Sequence, residues 1–101
     1  MRLTQRERER LLVHMAAELA RKRRKDDVKL NYPEAVAIIA DTMIEAARRG
    51  ASYQEVLSEG REAVAAEETM EWVPEMIDSV DVEVRLREGT KFVSLREPFG
   101  P

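Results

Sequence analysis

Residues 31–50, NYPEAVAIIADTMIEAARRG, decide the fold of this chain. Asn31 is a helix-capping residue, Pro33 falls in the first turn, where its missing N–H costs nothing, and Gly50 supplies a stop. The residues between these signals leave few polar positions on any side: Val36, Ile38, Ile39, Met43, Ile44 and the alanines at 35, 37, 40, 46 and 47. The pattern predicts a helix over about 32–49 that is enclosed on most sides and forms the centre of the fold.

The preceding stretch predicts another helix, over about 5–25. Thr4 and Glu7 stand three residues apart, so the side chain of each can accept a hydrogen bond from the backbone N–H of the other. Apolar residues then recur at spacings of three and four and align on one helix face: Leu11, Leu12, Met15, Leu19 and Ala20. Five consecutive cations suit the negative end of the helix dipole, and we call them the basic run: Arg21, Lys22, Arg23, Arg24 and Lys25.

Two more helices are predicted after Gly50. Ser52 and Glu55 repeat the capping pattern and open a helix over about 53–65, in which Gly60 is unfavourable by about 1 kcal/mol relative to alanine. A short fourth helix is expected over about 67–73, ending before Pro74 because proline disfavours helical geometry in the residue that precedes it.

The pattern changes to a period of two after Ser79. Apolar residues at 80, 82, 84 and 86 alternate with charged ones, Glu88-Gly89 predicts a turn, and residues 91–95 form a second β-type run. We therefore expect an α+β fold in one domain over 1–101, with four helices and a C-terminal antiparallel hairpin over about 80–95. Because a two-stranded hairpin leaves strand edges unpaired, we expect it to anchor the chain in an oligomer.

Composition limits the classes of protein. The 101 residues include no cysteine and carry a net charge of -3. The absence of cysteine rules out a disulfide framework, the first residues lack a signal peptide, and the longest apolar run, 35–40, is too short to cross a bilayer. The sequence thus predicts a cytoplasmic protein without a membrane partner.

No catalytic, cofactor-binding or metal-binding residues are expected in this chain. His14 is the single histidine, so a structural or surface role is predicted for it, since a nickel site needs several converging imidazoles or carboxylates. Glu68, Glu71 and Glu75, with Glu67 nearby, are spaced to lie along one side of a helix. That side is expected to be a solvated face, or else an acidic contact surface for a basic neighbour.

Three stretches together resemble the urease gamma subunit family. They are residues 3–4 with 9–12 (LT and ERLL), residues 29–35 (KLNYPEA) and residues 70–76 (MEWVPEM). The similarity extends to 44–48, 59–61, 82–84 and 89–91 and so covers nearly the whole chain. This sequence departs from the family pattern at Trp72 and Ala46, where the family favours glycine, at Arg49, where it favours an acid, and near Ala65, where it favours a capping threonine. The ring of Trp72 is expected to pack against other residues, and another chain is one candidate for that contact.

The resemblance implies a structural subunit of a hydrolase that converts urea to ammonia and carbamate. It implies that two nickel ions, bridged by a carbamylated lysine, lie in the alpha subunit. It also implies that gamma, beta and alpha chains form a protomer, and that three protomers close around a threefold axis.

Two alternatives stay open at this point. One is a divergent gamma-like paralogue that serves as an interaction module elsewhere, which Trp72 and Arg49 would suit. The other is a small nucleic-acid-binding domain that uses the basic run. Against nucleic acid, consecutive cations on a helix point in all directions, and the few aromatic residues are not interleaved with them.

Overall fold

The computed structural model describes residues 1–100 and contains helices, strands and one 3-10 turn. They are α1 (Gln5–Lys25), α2 (Tyr32–Arg48), α3 (Tyr53–Glu62), the 3-10 turn Ala66–Glu68, α4 (Val73–Met76), β1 (Ser79–Leu86) and β2 (Gly89–Arg96). The two strands form one antiparallel sheet at the C-terminus. This arrangement confirms the predicted α+β fold of four helices and a C-terminal hairpin.

Helix α2 lies at the centre and packs against α1, α3 and β1. Asn31 Oδ1 accepts the backbone N–H of Glu34 at 3.0 Å, and Glu34 Oε1 accepts that of Asn31 at 2.9 Å. This reciprocal cap satisfies two N–H groups that a helix start otherwise leaves unpaired. Nine residues of α2 are buried, so the enclosure predicted from its composition is confirmed.

Helix α1 contacts α2 through small residues. Ala17 and Ala20 are completely buried, whereas the large apolar residues of the predicted face are exposed to solvent: Leu11, Leu12, Met15 and Leu19. Alanine side chains let two helices approach closely, and the larger side chains then have no room between them. The apolar face of α1, apart from Ala20, is therefore an outer face of the chain.

Helix α3 ends at Glu62, three residues before the predicted end at 65. The Arg24 guanidinium donates to the carbonyl of Ala63 at 2.8 Å and so satisfies an acceptor at the helix end. The chain then becomes extended at Ala65 and places Val64 in the core. Burial of Val64 and the bond from Arg24 together explain the early end.

The helix predicted over 67–73 is wrong. Thr69 is extended, and the Met70 N–H donates to the carbonyl of Leu30 at 2.8 Å in a parallel bridge. Trp72 has a φ of 75°, which a right-handed helix does not allow. Pro74 lies in the first turn of α4, so this proline begins a helix, contrary to the prediction that it ends one.

The hairpin runs over residues 79–96 and pairs Val80 with Leu95 and Val82 with Val93. Its inner face is buried, and Val93 and Leu95 are completely inaccessible. Helix α1 also reaches the outer side of β1, where Arg6 pairs with the Glu83 carboxylate at 2.6 Å and Arg10 donates to the Glu83 carbonyl. The hairpin is thus covered on its inner face by the helices of its own chain.

Gly60 explains how α3 fits between α2 and β2. A Cβ atom on Gly60 would lie 2.9 Å from Leu95 Cδ2 and 2.9 Å from Met43 Cγ. Both neighbours are completely buried and have little room to move. The glycine that weakens α3 as a helix is therefore the residue that allows its close contact with the core.

We predict that Gly60→Ala destabilises the chain despite the better helix propensity of alanine. Propensity favours alanine by about 1 kcal/mol, but overpacking a filled core costs about 1–3 kcal/mol. The expected net loss in the free energy of unfolding is about 1 kcal/mol by urea denaturation. Ser58→Ala, an exposed change on the same helix, is the control and is expected to stay within about 0.5 kcal/mol of wild type. A Gly60→Ala variant as stable as wild type would contradict this account.

Candidate functional site

A polar cluster joins α1 to α2 at His14, Glu18, Arg21 and Asp41. His14 Nδ1 lies 3.0 Å from Asp41 Oδ1, and Arg21 Nη1 donates to Asp41 Oδ2 at 2.8 Å and to Glu18 Oε1 at 2.7 Å. Asp41 is buried, whereas the side chain of His14 is half exposed. A buried carboxylate is strongly unfavourable without partners, so the two α1 cations compensate the charge of Asp41 and tie the helices together.

The same cluster contains the residue types of a metal site. Potential ligand atoms of His14, Glu18 and Asp41 lie within 4.8 Å of one another. The Arg21 guanidinium, however, already bonds both carboxylates and occupies the position that a cation would take. The arrangement therefore fits an ion-pair clasp between helices.

Asp41 raises the pKa of His14 above its ordinary value. The hydrogen bond that Asp41 accepts from the His14 ring is the largest cause, and the negative charge of Asp41 is the next. Partial burial acts in the opposite direction, while the charges of Glu18 and Glu45 add smaller effects that favour the imidazolium. Protonated His14 is thus the form that the folded chain stabilises.

Three of the five cations in the basic run are engaged within the chain. Arg21 bonds Asp41 and Glu18, Arg23 bonds Glu34 Oε2 at 2.6 Å, and Arg24 bonds the Ala63 carbonyl. These partners lie on α1, at two separate positions of α2 and just after α3, so the three arginines are bound at different places within the chain. A phosphate-binding stripe is not formed, and no observation favours nucleic-acid binding.

Glu68, Glu71 and Glu75 do not lie along one helix side as predicted. Glu68 turns inward and accepts the Ala65 N–H at 2.9 Å, with Arg24 at 3.4 Å. Glu67 shares the 3-10 turn, Glu71 lies in the following turn, and Glu75 belongs to α4. The prediction failed because the helix that would have aligned them is not present.

The outer face of α1, formed by Leu11, Leu12, Met15 and Leu19, is an exposed apolar surface. Met15 and Leu12 are 68% and 66% exposed. Four large apolar side chains in successive turns of one helix are typical of a surface that contacts another protein. The sequence indicated this face by its spacing, but not that it faces outward.

A groove of about 480 Å³ borders this outer face between α1, α2 and β1. Leu11 lines both surfaces, and Ile44 and Val84 form the apolar floor of the groove. Arg48 and Arg85 stand among its lining residues. The outer face and the groove together give a partner both an apolar stripe and a concave, charged margin.

Asp41 is the important residue that the sequence reasoning missed. It is a single acid in the otherwise apolar and hydroxyl-bearing stretch 35–44. A lone carboxylate in a helix predicted to be enclosed requires a buried cationic partner. That signal was available, although it does not reveal that the partners come from α1.

The structure thus defines a small α+β assembly subunit, with a filled core and a large apolar helix face left uncovered. In residues 1–100, no helix is long and apolar enough to cross a membrane. The family model described as "Urease, gamma subunit" matches residues 1–99. The "Urease subunit gamma" of Streptomyces coelicolor is 50% identical over 99 residues, covering 98% of this chain and 99% of that protein. The chain belongs to the urease gamma subunit family, the structural small subunits of the hydrolase urease.

We predict that His14 stabilises the fold more in weak acid than in weak base. A raised folded pKa means that this contribution is complete below the unfolded pKa and is lost as pH rises through the folded pKa. The difference in unfolding free energy between wild type and His14→Gln is therefore expected to be larger at about pH 5.5 than at about pH 8.5. Because the His14 side chain is half exposed, this change in the difference between about pH 5.5 and about pH 8.5 is expected to be about 1 kcal/mol or less.

The single histidine also permits a direct check by NMR titration of its imidazole. The pKa of His14 is expected to lie above 6.5 in wild type and to fall in Asp41→Asn, because both leading causes come from Asp41. A wild-type value at or below 6.5 would contradict the clasp described here.

Proposed function

We propose that this chain is a non-catalytic scaffold within urease, and that residues 1–101 act in it as a single domain. The observation that carries the proposal is the outer face of α1 on a chain whose core is already filled. Four large apolar side chains left in water are unfavourable in an isolated protein and favourable in an interface. Family membership identifies the assembly as urease.

Catalysis and nickel binding are proposed to reside in the alpha subunit. The donor set of this chain supports the division, because Arg21 already bonds both carboxylates of the cluster of His14, Glu18 and Asp41. Nickel binding requires deprotonated, accessible ligands, whereas Asp41 is buried and already bonded from two sides. No residue of this chain is assigned a catalytic, cofactor-binding or metal-binding role.

The proposed partners are the beta and alpha subunits and further gamma copies around a threefold axis. The outer face of α1 and the adjoining groove are the contact surfaces that we assign to these chains. The edge of β2 is a further candidate, since the α1 side chains Arg6 and Arg10 bond Glu83 of the other strand, β1. A cytoplasmic location is part of the proposal, and the absence of cysteine fits a reducing compartment.

We expect Met15→Glu to weaken assembly without weakening the fold. Met15 is exposed in the chain, so the change should alter the free energy of unfolding by no more than about 0.5 kcal/mol. A charge buried at an apolar interface should lower the affinity for co-expressed alpha and beta chains about tenfold or more. Recovery of complex by size-exclusion chromatography measures the effect.

Gln54→Glu is the matched control for Met15→Glu, because it adds the same charge at an exposed position in the first turn of α3. It is expected to leave assembly unchanged. Normal recovery of complex with Met15→Glu would show that the outer face of α1 is not part of the interface.

We expect the purified, tag-free chain neither to hydrolyse urea nor to bind nickel tightly. Isothermal titration calorimetry with nickel should show no affinity stronger than about 1 μM. A lone histidine beside two carboxylates that Arg21 already bonds is a poor ligand set for nickel. Submicromolar nickel binding that is lost in His14→Gln would overturn the proposal that this chain holds no nickel site. Urea turnover without the partner chains would overturn the proposal that it is non-catalytic.

A further inference from the structure

Trp72 occupies a tight turn formed by residues 70–73, here called the Trp72 turn. The Val73 N–H donates to the Met70 carbonyl at 3.2 Å and closes it. Trp72 has φ 75° and ψ -10°, the backbone conformation of the third position of a type II turn. Glycine is favoured at that position because a side chain with positive φ is sterically strained. A tryptophan there is unfavourable for the isolated fold.

The turn is held firmly on both sides. Before it, the Met70 N–H donates to the Leu30 carbonyl at 2.8 Å, and Leu30 is completely buried. After it, Val73 and Ile77 are buried in the core. The strained residue is therefore fixed in place, and its ring is presented in one backbone conformation. Such preorganisation lowers the entropic cost of ordering this residue when it binds a partner.

The ring itself has no place in the core of this chain. Trp72 is 68% exposed, and Met70 and Met76 are also exposed. Tryptophan is the residue most enriched among the anchors of protein interfaces, and exposed methionines adapt to a partner surface. A strained backbone combined with an exposed anchor residue points to a role in binding, since neither contributes to the fold.

Charge identifies the kind of partner. Glu71 and Glu75, which flank Trp72 in sequence, are exposed and form no ion pair with any residue of the described range 1–100. Glu67 is likewise exposed and without an ion pair in that range. Two unpaired acids thus lie within three residues of Trp72 in sequence, while the nearby cation Lys29 donates to the backbone carbonyl of Glu67. A face of tryptophan also attracts guanidinium and ammonium groups.

We propose that the Trp72 turn binds an arginine- or lysine-bearing surface of a neighbouring urease subunit, with the cation on the ring and the acids beside it. Arg21, Arg23 and Arg24 of the basic run already bond Asp41, Glu34 and Ala63, so these three arginines are not free to supply the cation. An anionic membrane surface would be repelled by the same acids. The inference rests on the proposed scaffold function and adds the chemistry of one contact.

The test uses urease assembled from co-expressed chains that carry 5-fluorotryptophan. Trp72 is the single tryptophan of this chain, and comparison with a Trp72→Phe complex assigns its fluorine resonance. In the isolated chain, the resonance should respond to a soluble paramagnetic agent. In the complex, the fluorine resonance of Trp72 should shift, and its response to the paramagnetic agent should be largely lost. An unchanged, accessible resonance in the complex would overturn the proposal.

Affinity measurements complete the test. Trp72→Gly should leave the isolated chain at least as stable as wild type, because glycine relieves the positive φ, yet weaken assembly about tenfold or more. Trp72→Phe should retain most of the affinity. Glu71→Gln with Glu75→Gln should weaken assembly and reduce its sensitivity to salt. Full assembly of Trp72→Gly would contradict the proposal.

The outcomes separate this inference from the proposed function. If wild-type chain does not assemble with alpha and beta chains, the scaffold function itself fails. If it assembles while Trp72 remains accessible to the paramagnetic agent, only the role of the Trp72 turn fails.

Discussion

The fold depends on the enclosure of α2. A central helix with α1, α3 and β1 packed around it can be approached closely only by small side chains. Ala17 and Ala20 provide them on α1, and Gly60 provides the equivalent contact on α3. The one acid buried in α2, Asp41, then needs cations from outside the helix, and α1 supplies both of them. Close packing and the ion-pair clasp thus fix α1 in the same position.

The position of α1 has a direct consequence for function. Because its small residues face inward, its large apolar residues lie on the outside and stay exposed within the described range 1–100. A urease gamma subunit is part of a larger enzyme, and we propose that this apolar surface, which would be a liability in a monomer, is binding surface in the complex. The requirements of the core and of assembly are therefore met by opposite sides of one helix.

Much of this could be predicted from the sequence, because local signals were strong. The caps at Thr4, Asn31 and Ser52 placed three helix starts, and the period of two placed the hairpin. The failures involve tertiary contacts. Arg24 ends α3 early, and the bridge between Leu30 and Thr69 replaces a helix with an extended segment. Hydrophobic periodicity shows which residues share one face of a helix, but it does not show whether that face points to the core or to solvent. The outward orientation of the α1 face therefore required the structure.

The methionines provide the most direct test of the central claim, that α1 buries its small residues and reserves its large ones for partners. Met15 is 68% exposed and Met43 is completely buried, so mild peroxide should oxidise Met15 readily and Met43 hardly at all in the isolated chain. In assembled urease, mass spectrometry should show Met15 protected and Met43 unchanged. Protection of Met15 in the isolated chain, or its undiminished oxidation in the complex, would contradict the account.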